Sequence, residues 1–337
     1  MRRTGSENQL RIRLAVDPGW RREDVIASLC PFSQSENLTP DAPEPLRRYL
    51  AWYHLWPRAG ASLRLGTLDV AGYQVVVHRY APEHPRGTVL VLHGYFDHVG
   101  LYRHLIHFLL EEGYAVVTWD QPGHGLSSGE LVAIESFAEY QDVIDAVLDH
   151  MAAHESLPDW VGAVGQSTGC AALTEFILTH RESDRWRRLP RYVYLAPLLR
   201  PAHFRKARIL YRLLSPFRRT WKREFSVNSH DPDFIRFLRT EDPLQPQILS
   251  VKWVGALQKW IRRVELSEPV EGVPLLIVQG DEDRTVDWRH NLPAYRRLFP
   301  GSQSLLLPGL RHQVVNETEE YRLKVWSLIR KHLDAGA

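Results

Sequence analysis

The sequence is short of cysteine. Its 337 residues hold only two, Cys30 and Cys170, too few and too distant for a disulfide framework or a cysteine-built metal cluster. That scarcity suits a reducing compartment. An excess of one charge is also missing. Lys and Arg number 42 against 40 Asp and Glu, so no bulk polyelectrolyte binding is implied. No apolar run approaches the ~18 residues of a membrane span. The basic start Met1-Arg2-Arg3 is not followed by the apolar core of a signal peptide, and the expectation is a cytoplasmic protein. Internal repeats and low-complexity tracts are absent as well. The remainder is globular in character, with 44% hydrophobic and 24% charged residues, over a length that suits one large or two modest domains.

The stretch from Asp159 to Arg181 organises the rest. Trp160 to Val164 is a short apolar run that suits a buried strand, and Ala171 to His180 has helical spacing. Between them lies Gly165-Gln166-Ser167-Thr168-Gly169, a G-x-S-x-G pattern. A serine on a turn tight enough to push its hydroxyl outward needs small neighbours two positions away. The helix that follows aims its free N–H groups and positive dipole end at that hydroxyl. Before this stretch, Leu63 to Tyr80 reads as two strands with a turn near Ala71-Gly72, and Thr88 to Leu92 and Ala115 to Trp119 read as strands buried on both faces. Tyr192 to Leu195, Leu275 to Val278 and Ser304 to Leu307 continue the series, with a final helix from about Glu317 to His332. Strands alternating with helices argue an α/β fold, with a mostly parallel central sheet flanked by helices. The alternation stops between residues 197 and 268, which read as a helical cap inserted between two halves of a core, 61–196 and 269–337. Residues 1–60 read as an extension packed on that core.

Open α/β sheets place their sites at strand C-termini, and four candidate segments end there. Ser167 follows one strand, and Gly280-Asp281-Glu282-Asp283 follows another. His312 lies after the last short strand, and His93-Gly94-Tyr95 follows the earliest buried one. The chain order Ser, Asp, His is that of an α/β-hydrolase triad. In that chemistry His312 removes the Ser167 proton, a buried carboxylate fixes the imidazole tautomer, and the N–H groups of Tyr95 and Thr168 receive the oxyanion. Three acids compete for the carboxylate role: Asp283, Asp281, which also suits a turn, and Asp287, which also suits a helix start. His93, His98, His104 and His107 cluster in sequence but match no zinc spacing, so no metal is expected. Cys170 reads as a small packing residue.

In combination these segments resemble the monoacylglycerol lipase, lysophospholipase and serine-aminopeptidase-like branch of the α/β-hydrolases. His93 to Tyr102 resembles its H-G-x-G-E-H-x-x-x-Y stretch, and Asp120 to Ser127 its D-x-x-G-H-G-x-S turn. Gly280 to Val286 resembles the acid loop, and Arg311 to Glu317 the histidine loop. The resemblance spans about residues 63 to 335 and aligns Asp283 with the acid. It implies a serine hydrolase of carboxylic esters acting through an acyl-enzyme, on lipid-derived monoesters such as monoacylglycerol or lysophospholipid, with no cofactor. An acyltransferase, an amidase or aminopeptidase-like enzyme, and a silent binding module on the same fold remain open. Phe96 stands where the branch has glycine, and Gln166 where it has histidine. These two, with Leu213 and Leu214, are expected to line the substrate pocket. From Arg200 to Arg223 there are nine Lys or Arg and no acid. Ile209, Leu210, Leu213, Leu214 and Phe217 share one helical face there, read either as a helix covering the site or as a surface for anionic membrane. No nucleic-acid motif is present.

Overall fold

The structure, a computed structural model, describes residues 16–58 and 60–335. The described chain begins with two short helices, α1 (Arg22–Ala27) and α2 (Glu44–Trp52). A hairpin follows, β1 (Ala61–Val70) and β2 (Tyr73–Pro82). Then strand and helix alternate: β3 (Thr88–Leu92), α3 (Arg103–Glu111), β4 (Ala115–Trp119), α4 (Ala138–His154), β5 (Trp160–Gln166), α5 (Thr168–Thr179) and β6 (Tyr192–Leu195). The insertion supplies α6 (Phe204–Leu214), β7 (Thr220–Lys222), α7 (Pro232–Thr240), β8 (Ile248–Ser250) and α8 (Val251–Leu266). The core resumes with β9 (Leu275–Gly280), α9 (Trp288–Leu298), β10 (Gln303–Leu307) and α10 (Glu319–Asp334).

Eight strands form one sheet in the order β1-β2-β4-β3-β5-β6-β9-β10. The hairpin strands pair antiparallel, β1 with β2 and β2 with β4. From β4 to β10 every pairing is parallel, and the sheet does not close into a barrel. The central strands are runs of Val, Leu, Ile and aromatic residues because both of their faces are covered. Their side chains divide with the two-residue period of a strand. Leu90, Leu92, Ala163, Tyr192, Tyr194, Leu275 and Ile277 join α4, α5, α8 and α9 on one face. Val89, Val91, Val164, Val193, Leu195, Leu276 and Val278 join α2, α3 and α10 on the other. Tyr49, Leu50 and Tyr53 of the N-terminal segment are buried in that second layer.

The insertion is not purely helical. Thr220 to Lys222 pairs antiparallel with Ile248 to Ser250. Three-residue strands carry no periodic signal, which is why the sequence reads as helix alone there. Within the insertion, Trp253 and Trp260 of α8 are almost fully buried. Their indole N–H groups donate to Tyr140 and Glu175 on the core helices at 3.1 Å.

The close approach of α5 to the sheet requires glycine at position 169. A Cβ there would lie 2.2 Å from the Leu92 carbonyl oxygen, a backbone atom that cannot move aside. Gly169→Ala should therefore destabilise the protein by about 1–3 kcal/mol, the usual cost of overpacking. A thermal melt that matches wild type would show that the α5–β3 contact has slack.

Candidate active site

Ser167 sits on the turn between β5 and α5 with φ 52° and ψ −109°. A positive φ costs a non-glycine residue of order 1–3 kcal/mol unless its surroundings enforce it. They do so here. Ser167 N–H donates to the Leu195 carbonyl at 2.9 Å, and the Ser167 carbonyl accepts from Cys170 N–H at 3.1 Å and Leu198 N–H at 3.2 Å. On the inner side, a Cβ at Gly165 would meet the Gly169 backbone at 2.7 Å. Two glycines thus let the turn close, and the hydroxyl is carried away from the sheet.

The hydroxyl meets His312. The imidazole Nε2 lies 3.1 Å from Ser167 Oγ. Its Nδ1 lies 2.8 Å from Asp283 Oδ2. The three side chains come from segments after β5, β9 and β10, and all are nearly buried. Asp283 Oδ1 accepts from Thr285 N–H at 2.8 Å and Val286 N–H at 3.2 Å, and Gln279 Nε2 donates to Oδ2 at 3.0 Å. Burial alone would raise this carboxyl. The His312 imidazole and these donors outweigh it and hold Asp283 below the usual carboxylate range. Burial likewise works to lower His312, but the Asp283 carboxylate wins and raises the imidazole above its ordinary 6.5. The competing acids lie elsewhere. Asp281 accepts from Gly309 N–H at 2.7 Å, and Asp287 caps α9 through His290 N–H.

The loop after β3 passes beside the serine. A Cβ at Gly94 would stand 3.3 Å from Ser167 Cβ. Tyr102 OH accepts from Gly94 N–H at 2.9 Å and lies 3.1 Å from Asp97 Oδ2. The N–H of Tyr95 has no backbone or side-chain acceptor among the described residues, and the N–H of Thr168, the first residue of α5, is one of the four that a helix leaves free. Phe96 adopts φ 70°, the left-handed conformation that glycine adopts freely. Its ring packs at a tilt against Tyr95, centroids 4.4 Å apart. The Arg223 guanidinium of the insertion covers it at 4.0 Å. Tyr95 in turn stacks on Trp253 of α8 at 3.7 Å. The Asp120–Ser127 turn braces the same loop. Asp120 Oδ1 accepts from Val99 N–H and Oδ2 from Leu126 N–H, each at 2.7 Å. A Cβ at Gly125 would strike that carboxylate at 2.2 Å.

Two expected pocket residues are placed otherwise. Gln166 is the last residue of β5 and is 1% exposed. Its Nε2 donates to Gln313 Oε1 and its Oε1 accepts from Val315 N–H, both at 3.0 Å. It ties the serine turn to the histidine loop. Leu213 is 64% exposed, with Ile209 at 59% and Phe217, just beyond α6, at 83%, so these three side chains turn to solvent. The side chain of Leu214 lies outside the described residues. The structure adds residues that sequence reading passed over. Gln313 Nε2 donates to Asp97 Oδ1 at 3.0 Å, joining the histidine loop to the loop after β3. Gln313 directly follows His312 within the matched loop, and that adjacency was the available signal. The clustered histidines do not converge, and among the described residues no group of three or more His, Cys, Asp or Glu could hold a metal.

The family model described as Hydrolase_4, serine aminopeptidase, S33, matches residues 83–319. A phospholipase of Bacillus subtilis is 26% identical over 250 residues, 70% of this chain and 92% of its own length. A monoacylglycerol lipase of Mycolicibacterium smegmatis is 25% identical over 264 residues, 74% of this chain and 90% of its own. Among solved structures, a soluble variant of monoglyceride lipase from Saccharomyces cerevisiae superposes with a TM-score of 0.67 at 19% identity. That match covers 80% of this chain and 94% of the yeast chain. A mostly parallel central sheet flanked by helices is shared with the yeast structure. The chain belongs to the serine aminopeptidase S33 family of α/β-hydrolases, in the branch that includes the monoglyceride lipases and lysophospholipase-like enzymes.

Proposed function

We propose that the protein hydrolyses carboxylic esters through an acyl-enzyme on Ser167. The observation that carries this reading is the unbroken chain Ser167 Oγ, His312 Nε2, His312 Nδ1, Asp283 Oδ2, with links of 3.1 and 2.8 Å. In acylation, Ser167 Oγ bonds to the ester carbonyl carbon as its proton passes to His312 Nε2. The carbonyl oxygen becomes an oxyanion held by the N–H groups of Tyr95 and Thr168. Asp283 stabilises the imidazolium. The ester C–O bond then breaks, and the leaving alcohol takes the proton from His312. Water repeats the sequence, with His312 again as base, and releases the acid.

Lipid-derived monoesters, monoacylglycerol or a lysophospholipid-like compound, are the substrate class we assign. The bacterial relatives, a monoacylglycerol lipase and a phospholipase, support it. The description of the matching family as a serine aminopeptidase favours one second reading, amide cleavage on the same triad. Residues 197–268 are read as a cap over this site, and the exposed side chains of Ile209, Leu213 and Phe217, among nine Lys and Arg from Arg200 to Arg223 without an acid, as a face that rests on anionic lipid.

A fluorophosphonate probe should label Ser167 and no other residue, with peptide mapping as the readout. Wild-type enzyme should cleave p-nitrophenyl esters faster than the matching anilides, and Ser167→Ala should cleave neither. Faster anilide cleavage would turn the assignment to the amidase reading.

Asp283→Asn should lower kcat by up to about 10⁴-fold, because the amide selects the wrong imidazole tautomer. Asp281→Asn and Asp287→Asn should cost far less. The same carboxylate sets the pH profile. His312 must be neutral to act as base, so its raised pKa places the acidic limb of kcat/KM above 6.5, with activity lost as pH falls through it. Residual activity of Asp283→Asn should show that limb shifted to lower pH, since burial is then opposed only by the more weakly acting Asp97. An acidic limb unmoved by the substitution would separate His312 from Asp283.

Wild-type protein should sediment with phosphatidylglycerol vesicles and not with phosphatidylcholine alone, and should lose that binding at high salt. Phe217→Ser should weaken it about tenfold or more, since burying a phenyl ring contributes roughly 1.5–3 kcal/mol. Equal sedimentation with both vesicles would remove the anionic-surface reading.

A further inference from the structure

Behind the oxyanion loop lies a buried ion-pairing cluster assembled from three distant parts of the chain. Asp242 follows α7 in the insertion, and His98 lies in the loop after β3. Both side chains are completely buried. His98 Nε2 is 3.1 Å from Asp242 Oδ2. Tyr53, from the N-terminal segment, donates its hydroxyl to Asp242 Oδ1 at 2.6 Å. Its ring packs edge-on against the His98 imidazole, centroids 4.9 Å apart. Leu244 N–H reaches Oδ1 at 3.0 Å, and Gln245 Nε2 reaches Oδ2 at 2.9 Å. A carboxylate withdrawn from water is costly unless its lone pairs are filled, and here four donors fill them. Burial pushes this carboxyl up, but His98, Tyr53 and Gln245 outweigh it and keep Asp242 below the usual range.

The proton on His98 can be placed. Gly100 N–H points at His98 Nδ1, 3.2 Å away, so Nδ1 is an acceptor. Nε2 therefore carries the hydrogen and donates to Asp242. His98 also caps the short turn Val99–Tyr102. The end of that turn, Tyr102, accepts the Gly94 N–H through its hydroxyl. The segment from Gly94 to Tyr102 is thus a closed loop. Its one ion pair with the insertion among the described residues is His98–Asp242, beside the Arg223 guanidinium over Phe96 and the stacking of Trp253 on Tyr95. Tyr95, three residues before His98, lies on this loop.

We infer that Asp242 is a positioning residue for catalysis. Through His98 it sets where the Tyr95 N–H stands relative to Ser167, so the insertion helps to build the oxyanion site as well as covering it. This inference rests on the ester-hydrolase reading. Asp242 touches no reacting atom and acts through the loop alone. Hydrogen bonds to a developing oxyanion are sensitive to displacement, and a shift of about 1 Å costs up to 100-fold in rate.

Asp242→Asn is the informative substitution, because its volume is unchanged. The amide oxygen can still accept from Tyr53 and Leu244, but the amide nitrogen then faces the Nε2–H of His98, donor against donor. A shift of the His98 proton to Nδ1 sets it against Gly100 N–H instead. Either arrangement loses a bond that holds the loop. The expected result with p-nitrophenyl butyrate is a fall in kcat of about 10- to 100-fold, with KM altered less than threefold. Inhibition by a trifluoromethyl ketone, whose adduct needs the oxyanion site, should weaken by the same factor as kcat/KM. Tyr53→Phe is the structural control. It removes one donor from the same carboxylate but leaves the His98 link, so it should lower Tm comparably while kcat falls much less.

His98 gives an independent pair. His98→Gln can still present an amide donor to Asp242, whereas His98→Asn can only accept from Gly100 N–H. His98→Gln should be the more active of the two, and this comparison decides if Asp242→Asn does not fold. An Asp242→Asn enzyme with kcat and ketone inhibition within threefold of wild type would overturn the inference. So would a kcat loss in Tyr53→Phe equal to that in Asp242→Asn, which would make the cluster a structural tie only. A wild-type enzyme without esterase activity would instead overturn the ester-hydrolase reading itself.

Discussion

One imidazole constrains this molecule. His312 must stand 3.1 Å from Ser167 Oγ and 2.8 Å from Asp283 Oδ2 at once, and these partners lie 145 and 29 residues away in sequence. Nothing local can enforce that. The parallel order β5-β6-β9-β10 can, because it delivers three strand ends to one edge of a rigid sheet. The alternation of the strand side chains between two helix layers is what makes the sheet rigid. Each layer buries the residues that the other cannot reach, so a one-residue slip of a central strand would send every side chain into the opposite layer, whose packing is shaped for others.

The same constraint explains where strain is tolerated. Ser167 and Phe96 both hold positive φ, and both lie in turns that follow strands of the central sheet. At Ser167 the conformation is enforced by backbone hydrogen bonds to Leu195 and Leu198. Phe96 has a different support, a stack that runs from Phe225 through the Arg223 guanidinium and the Phe96 ring to Tyr95 and Trp253. A glycine would adopt the backbone at no cost but would leave that stack empty. Burial keeps Arg223 well under the ordinary guanidinium range, at about 10, and it stays charged at neutral pH.

Much of this was legible in the sequence, and the physical reasons for success and failure differ. Strands β3, β4 and β6 could be read because burial on both faces demands unbroken apolar runs. The serine turn could be read because the close approaches at Gly165 and Gly169 leave few residue types allowed. Asp283 was separable from Asp281 and Asp287 only through the pattern of its loop, since all three occupy polar turn chemistry. The partners of Gln166 could not be read because residue type does not reveal direction. At the last position of β5 its side chain turns to the histidine loop. Leu213 was misplaced for a related reason. Periodicity identifies an apolar face on α6 but not what that face meets. The Asp242–His98 pair had no signal at all, being 144 residues apart and built from residue types common in any loop.

The insertion therefore carries two opposed surfaces, and the core side is the more demanding. Its first residues pair with the acid loop, Pro201 with Val286. Asn228 accepts from Gln313 N–H and Ser229 donates to the Asn316 carbonyl, both in the histidine loop. Trp253 and Arg223 hold the oxyanion loop. The insertion thus touches every loop that positions a reacting group. A segment fixed in so many places cannot swing as one rigid lid without dismantling the site beneath it. The part of the insertion with fewer such ties is α6. Its exposed Ile209 and Leu213, and Phe217 just beyond it, lie between the anchor at Pro201 and the stack at Arg223.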